Sequence, residues 1–141
     1  MSLKTYTGSC HCGAIRYEAD LDLAAGSNRC NCSFCFKDRG WFAVAEGPER
    51  FRLLSSGDTL TEYRWTPPGK PHPFLTHVFC RRCGIRVFGR GEFPPPGKPF
   101  HAVLVTTLDD ASFDELAASP VNFFDGRHDR FDQPPADTRA L

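Results

Sequence analysis

The sequence predicts a mainly β fold of many short strands, with turns and loops that carry metal ligands. Three observations point there. Apolar and polar residues alternate over short runs, twelve prolines and twelve glycines break the chain into turns, and seven cysteines gather in three tight clusters. At 141 residues the chain reads as a single domain, 1–141, able to bury roughly two-thirds of its unfolded surface.

The first clear strand is Ala14 to Ala19, with Ile15, Tyr17 and Ala19 on one face and Arg16 and Glu18 on the other. Further strands are expected over Trp41 to Ala45, Phe51 to Leu54, Leu60 to Trp65, Thr76 to Phe79, Ile85 to Phe88 and Phe100 to Thr107. The turn-forming stretches Glu46-Gly47-Pro48, Ser56-Gly57-Asp58 and Pro67-Pro68-Gly69 bound them. Phe93-Pro94-Pro95-Pro96-Gly97 is expected to be a loop, because proline supplies no ladder donor. One short helix is expected from about Asp110 to Ala118. Asp109 or Asp110 would cap it, acidic residues enrich its first turns, and Pro120 follows its end. It lies away from every cysteine cluster.

Charge and hydropathy exclude several partners. Lys+Arg and Asp+Glu both total 17, and a formal net charge of zero argues against general attraction to nucleic acid or an anionic membrane. No apolar run approaches the roughly 20 residues needed to span a bilayer. The opening MSLKTYTGSC has one lysine and no apolar core of a secretory signal. The expectation is a soluble, cytoplasmic protein.

The cysteines read as C-x-C (Cys10, Cys12), C-x-C-x2-C (Cys30, Cys32, Cys35) and C-x2-C (Cys80, Cys83). A disulfide framework fits poorly: the count is odd, no oxidising compartment is implied, and an extended C-x-C points both side chains the same way. A redox C-x2-C at Cys80 and Cys83 would explain neither C-x-C. Four thiolates close a tetrahedral zinc site, whereas three leave one position open. Seven therefore suggests two zinc ions per chain.

Cys80-Arg81-Arg82-Cys83-Gly84 is a zinc-knuckle sequence, in which Gly84 tolerates a positive φ. Paired with Cys10 and Cys12, it would tie the N-terminal strand to the middle of the chain, so this four-cysteine site is assigned as structural. Cys30, Cys32 and Cys35 are close enough in sequence to bind one ion without outside help. Three thiolates leave a zinc complex with a net charge of minus one, a poor choice for making hydroxide from water. Such a soft site suits holding another thiolate, and coordination lowers the pKa of a bound thiol. The chemistry this points to is thiol activation.

The competing reading closes the second cluster with a fourth protein ligand, from His11, His72, His77, His101, His128 or Asp125. His11 reads as a solvent-facing spacer and His77 as an ordinary strand position; His72 lies between prolines and His101 heads a strand.

Gly8-Ser9-Cys10-His11-Cys12-Gly13, Cys30-Asn31-Cys32-Ser33-Phe34-Cys35 and Phe79-Cys80-Arg81-Arg82-Cys83-Gly84 together resemble the glutathione-dependent formaldehyde-activating enzyme family, from the first strand to about residue 108. The resemblance implies several coiled antiparallel sheets, a structural zinc on Cys10, Cys12, Cys80 and Cys83, and a catalytic zinc on Cys30, Cys32 and Cys35. The implied reaction adds glutathione to formaldehyde, giving S-hydroxymethylglutathione, the work of a carbon–sulfur lyase. The tail Asn122-Phe123-Phe124-Asp125-Gly126-Arg127-His128-Asp129 resembles only a subset of relatives. Beside the second zinc, Asp125 or His128 would relay a proton and Arg127 would hold a substrate carboxylate. The favoured reading is plainer: an Asp-Gly turn with solvated charges. Phe36, Trp41 and Phe42 either wall a pocket or, more ordinarily, belong to the core.

Two other function classes compete with a small-thiol, small-aldehyde enzyme. One is a zinc-ribbon-like binding module with Arg81, Arg82, Arg86 and Arg90 as a basic strip, which zero net charge disfavours. The other is a thiol or zinc carrier without turnover. Motifs for zinc proteases, deaminases, dinucleotides and nucleoside triphosphates are missing from the sequence.

Overall fold

The protein is described by a computed structural model covering residues 2–93 and 97–141. Among these residues ten strands form two sheets. The smaller is antiparallel, with β1 (Lys4–Ser9), β2 (Arg16–Leu21) and β5 (Phe51–Leu53) in the order β1-β2-β5. The larger contains β3 (Ser27–Cys30), β4 (Phe42–Glu46), β6 (Leu60–Tyr63), β7 (Leu75–Cys80), β8 (Arg86–Phe93), β9 (Lys98–Leu104) and β10 (Val121–Phe124). Its order is β10-β3-β4-β9-β8-β7-β6. The mainly β expectation holds, with one difference: β10 pairs parallel with β3, Phe124 lying opposite Cys30.

The alternation seen in Ala14 to Ala19 becomes β2. Ile15, Tyr17 and Ala19 have no exposed surface, and the strand runs on to buried Leu21. Val78, Val87, Phe88 and Val103 from the larger sheet join them in one apolar cluster that spans both sheets. Burial of this kind is the main favourable term in folding. Tyr17 places its hydroxyl 2.6 Å from the Thr107 hydroxyl, satisfying a polar tip inside the core.

The expected helix is present as α2 (Phe113–Ala118), shorter than expected. Ser112, not Asp109 or Asp110, caps it, exchanging hydrogen bonds with Glu115 in a capping box. Asp109 and Asp110 instead accept from Ser9 and the Thr7 amide, tying the connection to β1. A second helix was not expected: α1 (Ser33–Asp38), one and a half turns inside the second cysteine cluster. The one-helix expectation is corrected there, because six residues are too few to show an apolar stripe. Pro94, Pro95 and Pro96 of the expected loop lie outside the described residues; β8 and β9 pair up to Phe93 and Lys98 on either side. Among the described residues no helix is long and apolar enough to cross a membrane.

His101 does not head its strand but lies within β9, its ring stacked face to face on Phe51 at 4.2 Å. Its Nδ1 is buried without a described partner, and burial, aided by the Arg90 charge, pushes its pKa down to about 4. The imidazole stays neutral in the fold down to that pH, while in the unfolded chain it takes a proton below about 6.5. Its contribution is therefore fully present above about pH 6.5 and is lost as pH falls toward about 4. His101→Phe should flatten the loss of stability between pH 6.5 and 4.5, read from urea midpoints of both proteins; equal slopes would show that His101 titrates as it does in the unfolded chain.

Candidate functional site

Two hairpin turns bring the first and third clusters together. Cys10 follows β1 and Cys80 ends β7, so each opens a turn leading back into the next strand. The turns are built alike. Cys10 N donates to Ile15 O and Cys80 N to Ile85 O, at 3.1 and 3.0 Å. Gly13 and Gly84 take φ values of 82° and 76°, a conformation that glycine adopts without a Cβ penalty. The amides of Ile15 and Arg82 point at the Cys10 and Cys80 sulfurs, at 3.3 and 3.4 Å.

All four sulfurs lie within 4.8 Å of one another. Cys12 Sγ is 3.7 Å from both Cys10 Sγ and Cys80 Sγ. A tetrahedral zinc with bonds of about 2.3 Å has sulfur–sulfur edges of about 3.8 Å, so these residues fit the ion. The group joins the β1–β2 hairpin of the smaller sheet to the β7–β8 hairpin of the larger one.

The second cluster is assembled from β3 and α1. Cys30 is the last residue of β3, Cys32 is the N-cap of α1, and Cys35 lies in its first turn. Their sulfurs also lie within 4.8 Å of one another, and among the described residues no histidine or carboxylate joins that group. Cys32 Sγ accepts from the Cys35 amide at 3.3 Å, and Cys30 Sγ from the Cys32 amide at 3.4 Å. The Cys30 and Cys35 thiols donate toward Cys32 and, against the opposing effect of burial, pull its thiol well below the ordinary thiol range. Cys35, donating to Cys30 and Cys32, is pushed up. The geometry thus favours thiolate at the centre of the trio, the form that binds metal.

The tail overturns the plainer expectation. Asp125 is not a solvated turn residue: it has no exposed surface. Its carboxylate accepts from Asn31 Nδ2 at 2.8 Å, His128 Nδ1 at 2.8 Å, and Arg130 Nε and Nη2 at 3.1 and 2.7 Å. The Asn31 donor above all, then His128 and Arg130, holds it down at about 2 despite desolvation. With its oxygens so occupied, Asp125 is the hub of a hydrogen-bond network. Asn31, the spacer between Cys30 and Cys32, is gripped throughout: its amide donates to Phe124 O, its side-chain oxygen accepts from Arg127 N at 2.9 Å, and its carbonyl from Arg127 Nε at 3.0 Å.

Sequence reasoning assigned Asn31 no role, because a contact spanning 94 residues leaves no local spacing signal. Gly126 was missed too. A Cβ there would stand 2.6 Å from Cys30 Sγ, so the turn can close on the cluster only with glycine.

On the other side of α1 an open cleft of about 400 Å³ is lined by Phe34, Asp38, Tyr63, His77, Phe79 and Arg86, among others. Phe34 stacks on His77 at 3.7 Å, and Asp38 accepts from Arg86 at 2.6 Å, docking α1 on β7 and β8. Burial, then the Arg86 charge, pushes His77 down to about 4, keeping it neutral beside that guanidinium. Phe34 thus lines the cleft, in place of the three aromatics that sequence singled out. Phe36 is 39% exposed, Trp41 donates to Ser27 Oγ at 2.7 Å, and Phe42 packs on Phe124. His11 and His72 are exposed, and His128 turns its Nδ1 to Asp125. The basic strip is divided, since Arg86 pairs with Asp38 and Arg90 with Glu62.

Gly126→Ala should force the tail away from the second cluster, destabilising the protein by about 1–3 kcal/mol, the usual cost of overpacking. Amide exchange at Arg127 and His128 should accelerate with it; an unchanged urea midpoint and unchanged exchange would contradict the close approach.

The comparisons agree with this geometry. The sequence model of the family described as glutathione-dependent formaldehyde-activating enzyme matches residues 5–125, beyond the expected limit near 108 and as far as Asp125. A curated Halomonas elongata protein, provisionally named as such an enzyme, is 35% identical over 79 residues, covering 54% of this chain. The chain spans about half the length of that relative. A crystal structure of a Rhodobacter sphaeroides protein, a structural-genomics target, superposes with a TM-score of 0.65 at 28% identity, covering 82% of this chain and 99% of that one. With the match running through all three cysteine clusters, the chain belongs to the glutathione-dependent formaldehyde-activating enzyme family.

Proposed function

We propose that the chain, acting as one zinc-binding domain over residues 1–141, is a zinc-dependent carbon–sulfur lyase-like enzyme. It binds glutathione or a similar small thiol at Cys30, Cys32 and Cys35 and joins the sulfur to formaldehyde or another small aldehyde. Cys10, Cys12, Cys80 and Cys83 hold the structural zinc. The observation that carries this reading is the contrast between the two groups: four sulfurs spaced for a closed tetrahedron, and three gathered sulfurs without a fourth described ligand.

In the net reaction the thiol sulfur bonds to the carbonyl carbon and the C=O π pair moves to oxygen. That oxygen takes one proton while the thiol loses one. Zinc held by Cys30, Cys32 and Cys35 would supply a Lewis acid that lowers the pKa of an incoming thiol. The chain does the positioning. The Cys32 and Cys35 amides share the sulfur charge, Asp125 locks Asn31 between two of the ligands, and Phe34 fixes α1 to the sheet. Seven free cysteines suit a reducing compartment, which supports a cytoplasmic site of action.

Cys32→Ser and Cys83→Ser separate the two roles. Cys32→Ser should keep the fold, lose one zinc and stop catalysed S-hydroxymethylglutathione formation, read by exchange NMR above the uncatalysed addition. Cys83→Ser should unfold the domain, since structural zinc contributes on the order of 10–16 kcal/mol. Equal unfolding of both variants would sink the division of labour.

A further inference from the structure

Arg127 is exposed but is held beside the second cluster. Its backbone N and its Nε both bond Asn31, the residue between Cys30 and Cys32. That fixes the guanidinium plane and leaves its two outer nitrogens without a described hydrogen bond. Its carbon lies 5.8 Å from the centroid of Phe36, the residue after Cys35. Arg39 approaches the same ring at 5.4 Å. Arg39 is also the C-cap of α1, with φ 61°, a left-handed position where glycine is usual. An arginine there costs some backbone strain in exchange for a charge beside the helix.

Neither arginine forms an ion pair among the described residues, although Arg39 Nη1 donates to the Ala140 carbonyl at 2.6 Å, leaving its other nitrogens for a ligand. The acids nearby are already engaged: Asp125 with Arg130 and His128, Asp38 with Arg86, and Asp129 with Lys70. The exposed rim of the cluster is therefore cationic. A three-thiolate zinc carries a net charge of minus one and would repel an anionic thiol without such a rim.

We propose that Arg127 and Arg39, flanking Phe36, form a carboxylate-binding subsite for the incoming thiol, so that the site selects a carboxylate-bearing thiol over a neutral one. This rests on the thiol-binding reading above. Guanidinium groups suit the task because their planar donor fork matches a carboxylate.

The test is calorimetric titration of the zinc-loaded full chain, without aldehyde, using glutathione and its diethyl ester, which keeps the thiol but masks both carboxylates. The native protein should prefer the acid on the order of tenfold or more. Raising salt from about 0.05 to about 0.5 M should narrow that preference. In the Arg39→Gln/Arg127→Gln double variant, checked for zinc content and circular dichroism, the acid-to-ester ratio should fall to about one. Arg127→Lys should restore part of it in the single variant. If acid and ester bind the native protein equally, the subsite is wrong and the thiol reading stands. If neither binds, both fall. A preference that survives in the double variant removes the two arginines from the account, and the native salt and ester comparison decides the matter if that variant does not fold.

Discussion

The gathering of Cys10, Cys12, Cys80 and Cys83 is the constraint on which the rest of this structure leans. Cys12 and Cys80 are 68 residues apart in sequence, yet their sulfurs lie 3.7 Å apart. The residues that bring them there belong to two hairpins in different sheets. A small domain with short strands gains little stability from any one ladder, so a cross-link between sheets counts for more than its size suggests. The apolar cluster of Ile15, Tyr17, Val78 and Val87 lies behind the same two hairpins. Packing and sulfur geometry thus specify one mutual placement of the sheets.

That placement leaves the second cluster free to be shaped by other forces. β3 ends at Cys30 and α1 begins beyond Cys32, a change of direction that would leave polar backbone exposed without partners. The tail supplies them. Parallel pairing of β10 with β3 delivers Asp125 to the end of the cluster, and the carboxylate is then buried among three donor side chains. A buried anion is tolerable only when so saturated. The consequence is a rigid wall of Asn31, Gly126 and Arg127 on one side of the sulfurs, with the Phe34 dock on the other. For the proposed thiol addition, whose intrinsic barrier is low, fixed orientation of this kind is the main thing a protein could add.

Much of this was legible in the sequence wherever the signal was local. The alternation of Ile15, Tyr17 and Ala19 identified a core strand, and the C-x2-C followed by Gly84 identified a knuckle whose φ of 76° requires glycine. The split of the cysteines into four and three followed from counting ligands, and the structure gathers the same two groups. What was not legible is long-range. β10 and β3 pair across more than ninety residues, with no periodicity in Val121–Phe124 strong enough to announce a strand. Asp125-Gly126 looks like an ordinary turn until its partners are in place. α1 escaped notice because its six residues include no buried side chain, and its stability comes from capping by Cys32 and docking through Phe34.

We propose that one chain holds two zinc ions of different character, one in a closed site and one in a site open to a thiol. Native mass spectrometry of the full chain, expressed with added zinc and sprayed before and after glutathione, tests it most directly. Two zinc ions per chain and a mass increment of one bound glutathione are expected. One zinc per chain and no change on adding glutathione would contradict it.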